Sequence, residues 1–440
     1  MKLKTLTYIL SVFVLLGSLS ACAKAPQGQH SSAAQNASQH SVPVSSGSAS
    51  SVNSANDLST SLPPRLEVTG EFRGVWMSYY EVSDLCKGKS EAQFRAKVTE
   101  YFTNAADAGL TAVIAHVRPS SDAFYRSEIF PWSLYASGTQ GKDPGYDPLE
   151  IMVETAHAKG LELHAWLNPY RVCTVKNFGI LADSNPAKIW LTDEDTQNDR
   201  RVREAGGGYY YNPALPAVRE LIIDGVREIV QNYAVDAIHF DDYFYPTTAK
   251  SFDDAEYQDY RAQMGASALS LGDWRREQVN TLMRGVYAAV KAIDPQVEFG
   301  ISPGGRVEHN RDTLYADCAL WLSQTGYADY ICPQIYFGFE HPTEAVRFAR
   351  LSAQWSALST NPEVQLYLGL ASYKIGEEDR GSKEWIENSD ILKRQVLLSR
   401  QDPVVDGIAF YSYTSLFGSK EHYRAERENV LPLFKTTEDN

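Results

Sequence analysis

Cysteine is scarce in this chain, with 5 in 440 residues, which excludes a scaffold built on disulfides. Positive charge is also in short supply: 41 Lys and Arg stand against 55 Asp and Glu, for a net charge of −14. So acidic a chain lacks the clustered basic surface that phosphate-backbone binding needs, and nucleic acid is excluded as a partner. Beyond the N-terminal segment no run of 18 or more apolar residues occurs, so no second membrane segment is expected. No Gly-x-Ser-x-Gly elbow is present, which removes the usual signature of a serine hydrolase. What the chain has in quantity is aromatic residues, 12% of the total with 26 Tyr and 8 Trp. Such an excess suits a core, and it equally suits a wet cleft that stacks on sugar rings.

The N-terminus reads as an address. Lys2 and Lys4 precede an apolar run, Tyr8 to Leu19, too short to span a membrane comfortably. Leu19-Ser20-Ala21-Cys22 resembles a bacterial lipobox, which implies removal of residues 1–21 as a lipoprotein signal peptide and a lipid on Cys22. Residues 22–64 are rich in Ser, Ala and Asn and poor in large apolar residues, so they are expected to be a disordered tether. The protein is then exported and anchored in the membrane by its lipid, on the extracytoplasmic face of the cell envelope. Export places Cys86, Cys173, Cys318 and Cys332 where up to two disulfides could form, in any of three pairings; four buried free thiols are the other reading.

From Arg65 to Asn440 short apolar runs alternate with amphipathic ones. Strands are predicted at 73–79, 112–119, 162–169, 236–244, 297–304, 327–336, 366–373 and 407–413. Helical patterns follow, among them 91–108, 148–159, 213–233, 271–293 and 343–358. Eight βα repeats predict an α/β fold, a (β/α)₈ barrel, with long loop insertions at 172–212 and 246–270. The alternative, a doubly wound sheet, would normally carry a Gly-rich phosphate turn after its first strand, and none is present. Alternation supports the barrel: Leu163, Ala165 and Leu167 share one face, and His164, Trp166 and Asn168 the other.

The chemistry is expected at the C-terminal ends of the strands. The fourth strand ends in Asp241 and Asp242, and adjacent carboxylates are costly there unless hydrogen-bonded, paired or chemically used. Strict alternation aims Asp241 inward and Asp242 toward the rim, although a bend would turn both to the cleft. Other strand ends supply Arg73, Trp76, His116, Arg118, His164, Trp166, Asn168, Tyr170, Arg171, His239, Tyr243, Gln334, Tyr336, Tyr373 and Tyr411. Hydroxyl-binding groups and aromatic platforms around two acids form a sugar-binding inventory. A metal hydrolase would instead use His116, His164 and His239, but the first strand lacks His-x-His and the last lacks Asp, so neither metal nor cofactor is expected.

The segments Phe72–Trp76, Asp143–Leu149, His164–Arg171, Val235–Tyr243, Phe299–Pro303 and Pro333–Tyr336 together resemble the glycosyl-hydrolase-like 10 family of bacterial envelope proteins over roughly residues 70 to 415. The resemblance implies a (β/α)₈ glycosidase fold and, as substrate, peptidoglycan glycan strands stripped of stem peptides. Most glycosidases set two carboxyls about 5–5.5 Å apart to retain configuration or about 6.5–9.5 Å apart to invert it. Here no later strand ends in an acid. One solution lets the pair act on an N-acetyl sugar, with Asp241 orienting the acetamido group as internal nucleophile and Asp242 as acid and then base; the two roles can also be exchanged. Paired acids serve some N-acetylglucosaminidase families in this way. The other solution takes a second acid from a loop, with Glu81, Asp122, Glu128 and Glu308 as candidates. A non-catalytic glycan-binding lipoprotein and an envelope scaffold are the competing classes.

Overall fold

Eight short runs rich in β-branched and aromatic residues pair in parallel and close on themselves: β1 (Phe72–Met77), β2 (Ala112–Arg118), β3 (Glu162–Leu167), β4 (Ala237–Phe240), β5 (Glu298–Ile301), β6 (Tyr330–Ile331), β7 (Gln365–Leu370) and β8 (Gly407–Tyr411). Each strand's neighbours are its neighbours in sequence, and β8 closes the ring on β1. The helices that return the chain are α1 (Glu91–Asp107), α2 (Pro148–Ala158), α3 (Pro216–Asn232), α4 (Leu271–Ile293), the one-turn α5 (Cys318–Trp321), α6 (Phe348–Leu358), α7 (Ile391–Ser399) and α8 (Glu421–Val430). This computed structural model describes residues 70–435 together with Leu62 and Leu66. The expected signal peptide, Cys22 and, Leu62 apart, the linker lie outside the described residues.

The helices form where the sequence signals them. In α1 a capping box joins Ser90 to Gln93, and Phe94, Val98, Phe102 and Ala105 recur at helical spacing on its buried face. Asp147 caps α2, accepting from the backbone of Leu149 and Glu150 with Pro148 as the first helical residue. It also accepts from the Tyr233 hydroxyl at 2.7 Å. The Asp143–Leu149 segment therefore forms the start of this helix. The insertion after β3 folds into a three-stranded antiparallel sheet, Arg171–Cys173, Gly208–Tyr211 and Val202–Ala205, and the one after β4 carries the helix Asp254–Met264.

Two cores result. The larger lies between barrel and helices; the smaller fills the barrel and consists of Phe72, Trp76, Ala112, Ile114, Trp166, Ala237, Tyr330, Cys332, Tyr367 and Ala409. Large rings fit inside because glycines face them. A methyl group on Gly300 would lie 1.8 Å from the Tyr330 ring, and one on Gly369 would lie 3.1 Å from Trp76. Cys86, Cys173, Cys318 and Cys332 are all buried and unbridged, so the free-thiol reading is the one observed.

Candidate active site

The site is built in layers from the barrel floor upward. At the bottom Phe72 stacks on Tyr367 with centroids 4.1 Å apart. Above them Trp76 donates its indole N–H to His239 Nε2 at 3.2 Å. His239 therefore carries its proton on Nδ1, which faces the Tyr330 hydroxyl at 2.9 Å. That hydroxyl meets His164 Nδ1 at 2.8 Å, and His164 Nε2 faces Glu162 at 3.3 Å. Each interior group of this chain gives one hydrogen bond and accepts one. Burial holds His239 well below the ordinary imidazole pKa. With both nitrogens of both rings engaged, neither His164 nor His239 has one left for a metal. His116 packs flat on Trp166, with centroids 3.7 Å apart. Among the described residues no cluster of three or more His, Cys, Asp and Glu could hold a metal ion.

The acid pair sits on top of this layer. The ladder of β4 stops at Phe240, and the chain bends so that both following carboxylates face the cleft. Asp241 is 2% exposed and is held by three donors: the Trp166 indole N–H at 3.0 Å and the Asn168 amide at 3.3 Å on one oxygen, and the Tyr243 backbone N–H at 3.2 Å on the other. Its carboxyl is pushed up to about 7, first by burial and then by the charge of Asp242, against the pull of Arg171 and of its donors. Asp242 is partly exposed. Burial raises its carboxyl too, offset in part by a hydrogen bond from Gln334 and by the charges of Arg171 and His309. Arg171 lies under the Tyr243 ring at 4.1 Å, and its own pKa is raised by Asp241 against desolvation.

Asp242 opens into a cavity of about 340 Å³ shared with Gly304, Gln334, Tyr336, Tyr373 and Arg306. Tyr336, Tyr373 and Tyr411 form one aromatic cluster, with centroids 5.6 to 5.8 Å apart, and Tyr411 reaches back to Trp166 at 6.4 Å. Tyr373 and Tyr243 are the exposed platforms, at 38% and 48%. The structure therefore brings Asp241, Asp242, Trp166, Asn168, Arg171, Tyr243, Gln334, Tyr336, Tyr373 and Tyr411 to one cleft, with Trp76, His116 and His239 in the layer that supports it.

Four expected residues are elsewhere. Arg73 pairs in register with the outward Ile408; its guanidinium donates to Gly109 O at 2.6 Å and sits near Phe434 outside the barrel. Arg118 follows a bulge that puts it in register with the outward Leu167, so it leaves the cleft and packs over Phe130 at 4.6 Å. His164 is inward but one layer too deep. Tyr170 is fully buried in the outer core. The loop acids are placed as follows. Glu81 caps the helix Tyr79–Cys86 and accepts from Ser412 and Thr414; Asp122 is buried and accepts from Leu134 and Gln140; Glu128 is exposed. Glu308 accepts from Gln354 in a neighbouring groove.

The sequence reading missed Gly304, Arg306 and His309 beyond β5, and Lys374, Asp379 and Arg380 beyond β7, all of which line the cavity. Gly304-Gly305-Arg306 directly after a strand end was the available signal. Asp379 is an acid in this cavity, but Lys374 holds it at 2.6 Å.

Residues 71–387 match the family described as glycosyl hydrolase-like 10. The chain is 37% identical to glycosyl hydrolase YngK of Bacillus subtilis (strain 168) over 79% of its own length and 69% of that protein's. It is 34% identical to glycosyl hydrolase DigH of Escherichia coli (strain K12), over 69% of this chain and 72% of that one. Among solved structures, the glycoside hydrolase domain of PgaB (BpsB) from Bordetella bronchiseptica superposes with a TM-score of 0.55 at 12% identity, covering 82% of this chain and 99% of that domain, a likeness of fold alone.

Proposed function

The chain belongs to the glycosyl hydrolase-like 10 family, and from that premise we propose that it is a glycoside hydrolase that cleaves peptidoglycan glycan strands bearing N-acetyl sugars. The observation that carries the proposal is the unequal pair: a buried Asp241 clamped by three donors beside an Asp242 that opens into the cavity. A costly buried carboxylate so placed suits positioning; the more open one suits proton transfer.

In this reading Asp241 accepts a hydrogen bond from the acetamido N–H, and the acetamido oxygen attacks the anomeric carbon as the glycosidic bond breaks. Asp242 gives its proton to the departing oxygen. Asp242 then takes a proton from the water that opens the cyclic intermediate, which restores the pair. Tyr243 and Tyr373 supply stacking faces, and Gln334 holds Asp242 in place. The pair works with one proton between its members: burial raises both carboxyls, and the charge of Asp242 raises Asp241 further, so the two do not ionise independently.

The test is digestion of purified glycan strands by the full-length protein, with products read by mass spectrometry. New reducing ends are expected, and fragment masses identify the sugar at the cut. Retention on the glycan with no product would make the protein a glycan binder instead.

We also propose an envelope location through a lipid on Cys22, on the strength of the lipobox-like sequence. In a bacterial host, Cys22→Ser is expected to move the protein from the membrane fraction to the soluble fraction. Equal membrane retention of both forms would remove the anchor from the account.

A further inference from the structure

The cavity at Asp242 continues past Arg306, Phe337 and Arg380 into a second groove of about 1100 Å³ along α6. That volume lies just above the roughly 300–1,000 Å³ range of small-ligand sites and suits several sugar units in succession. We propose that this groove is an extended subsite for the carboxylate groups of an acidic glycan, read by Arg306, Arg350 and Arg380. The proposal deepens the hydrolase reading above and rests on it.

Three observations carry it. First, the guanidinium groups of Arg306, Arg350 and Arg380 are exposed, and among the described residues they form no hydrogen bond or ion pair. Several arginine heads elsewhere on the surface are committed, as Arg200 is to Glu256, Arg227 to Asp224, Arg284 to Glu277 and Arg400 to Glu71. Second, the lining sets these three arginines against a single acid, Glu308, which accepts from Gln354 at 2.9 Å, and Asp379 in the adjoining cavity is paired with Lys374. The groove is thus a positive stretch on a chain of net charge −14, where the protein's overall field opposes the approach of an anion. Third, Arg380 has φ 51 at the centre of a tight turn closed by Asp379 and Ser382, followed by Gly381 at φ 92. Two consecutive left-handed residues favour Asn-Gly. An arginine kept there at a conformational cost points to a use for its side chain.

A guanidinium fork matches a carboxylate bidentately, so the ligand chemistry is a sugar carboxylate. It has two sources. One is the lactyl carboxylate of a wall glycan, which is free only where no peptide is attached; the other is the carboxylate of a uronic acid.

The experiment uses the full-length protein and three polymers: peptide-free wall strands, the same strands with their carboxylates converted to amides, and a polymer of alternating N-acetylglucosamine and uronate. Rates of new reducing ends are measured with the wild type, and retention on each polymer with Asp242→Asn. Amidation is expected to lower both kcat/KM and retention by about ten-fold or more, mainly through KM. The Arg306→Gln/Arg350→Gln pair is expected to bring the native-to-amidated ratio close to one, and Arg380→Asn, which suits the turn, to lower it. Retention of the uronate polymer as strong as that of native strands supports a reader of any sugar carboxylate; weak retention of it assigns the lactyl source. Equal rates and equal retention of native and amidated strands would overturn the subsite and leave the hydrolase intact. Charge-dependent retention without cleavage would keep the subsite and overturn the hydrolase.

Discussion

Burial beside a second acid makes Asp241 costly to keep charged. Its carboxyl rises from an ordinary value of 3.8 to about 7, with burial as the first cause and the charge of Asp242 as the second. Between those two values the folded state holds a proton that the unfolded state has released, so stability falls as pH rises through that window. The difference is on the order of a few kcal/mol at most. Asp241→Asn removes it while keeping an acceptor for Trp166 and Asn168. The variant is therefore expected to melt close to wild type at pH 4 and above it at pH 8, with the gap opening between. Thermal denaturation of both proteins across this range is the check; a variant less stable at every pH would show that Asp241 is structural. Residue-level reading found the pair itself, because adjacent acids at a strand end are conspicuous. It admitted Arg73 although that residue is three positions before the inward Trp76 and so on the opposite face. Alternation assigns a face and not a depth, which is why His164 passed for a cleft residue.

At the scale of elements, the eight strands were legible but their ends were not. The predicted 236–244 shrinks to Ala237–Phe240, and 327–336 to Tyr330–Ile331. Apolar patterning runs on past the last ladder bond, because the side chains that converge on the cleft belong to loop backbone. After Ile331 the ladder becomes irregular, since Pro333 has no N–H to give; single contacts join Gly304 to Gln334 and Gln334 to Gly369. The bulge between His116 and Arg118 left no sequence signal, and it alone carries Arg118 out of the cleft. The glycines of β5 and β7 have their reason only in the folded barrel. Gly300→Ala would drive a methyl group into the Tyr330 ring and displace the hydroxyl that serves both His164 and His239. The expected cost is roughly 1–3 kcal/mol or more, read as a lower melting temperature. An unchanged melting temperature would mean that the barrel interior is not packed as described.

As a whole molecule the chain combines an anionic body with a cleft whose acids are buried and whose flank carries unpaired arginines. The acids were legible because they lie next to one another in sequence. Arg306, Arg350 and Arg380 were not, because the loops after β5 and β7 and the start of α6 meet only when the barrel closes. The central claim is that Asp241 and Asp242 act as one hydrolytic pair on a glycan. Its most direct test is the initial rate of reducing-end formation on wall glycan strands by wild type, Asp241→Asn and Asp242→Asn at matched folded concentration. Each single variant is expected to lose about 10²–10⁴-fold in kcat. Wild-type turnover in either variant would contradict the account.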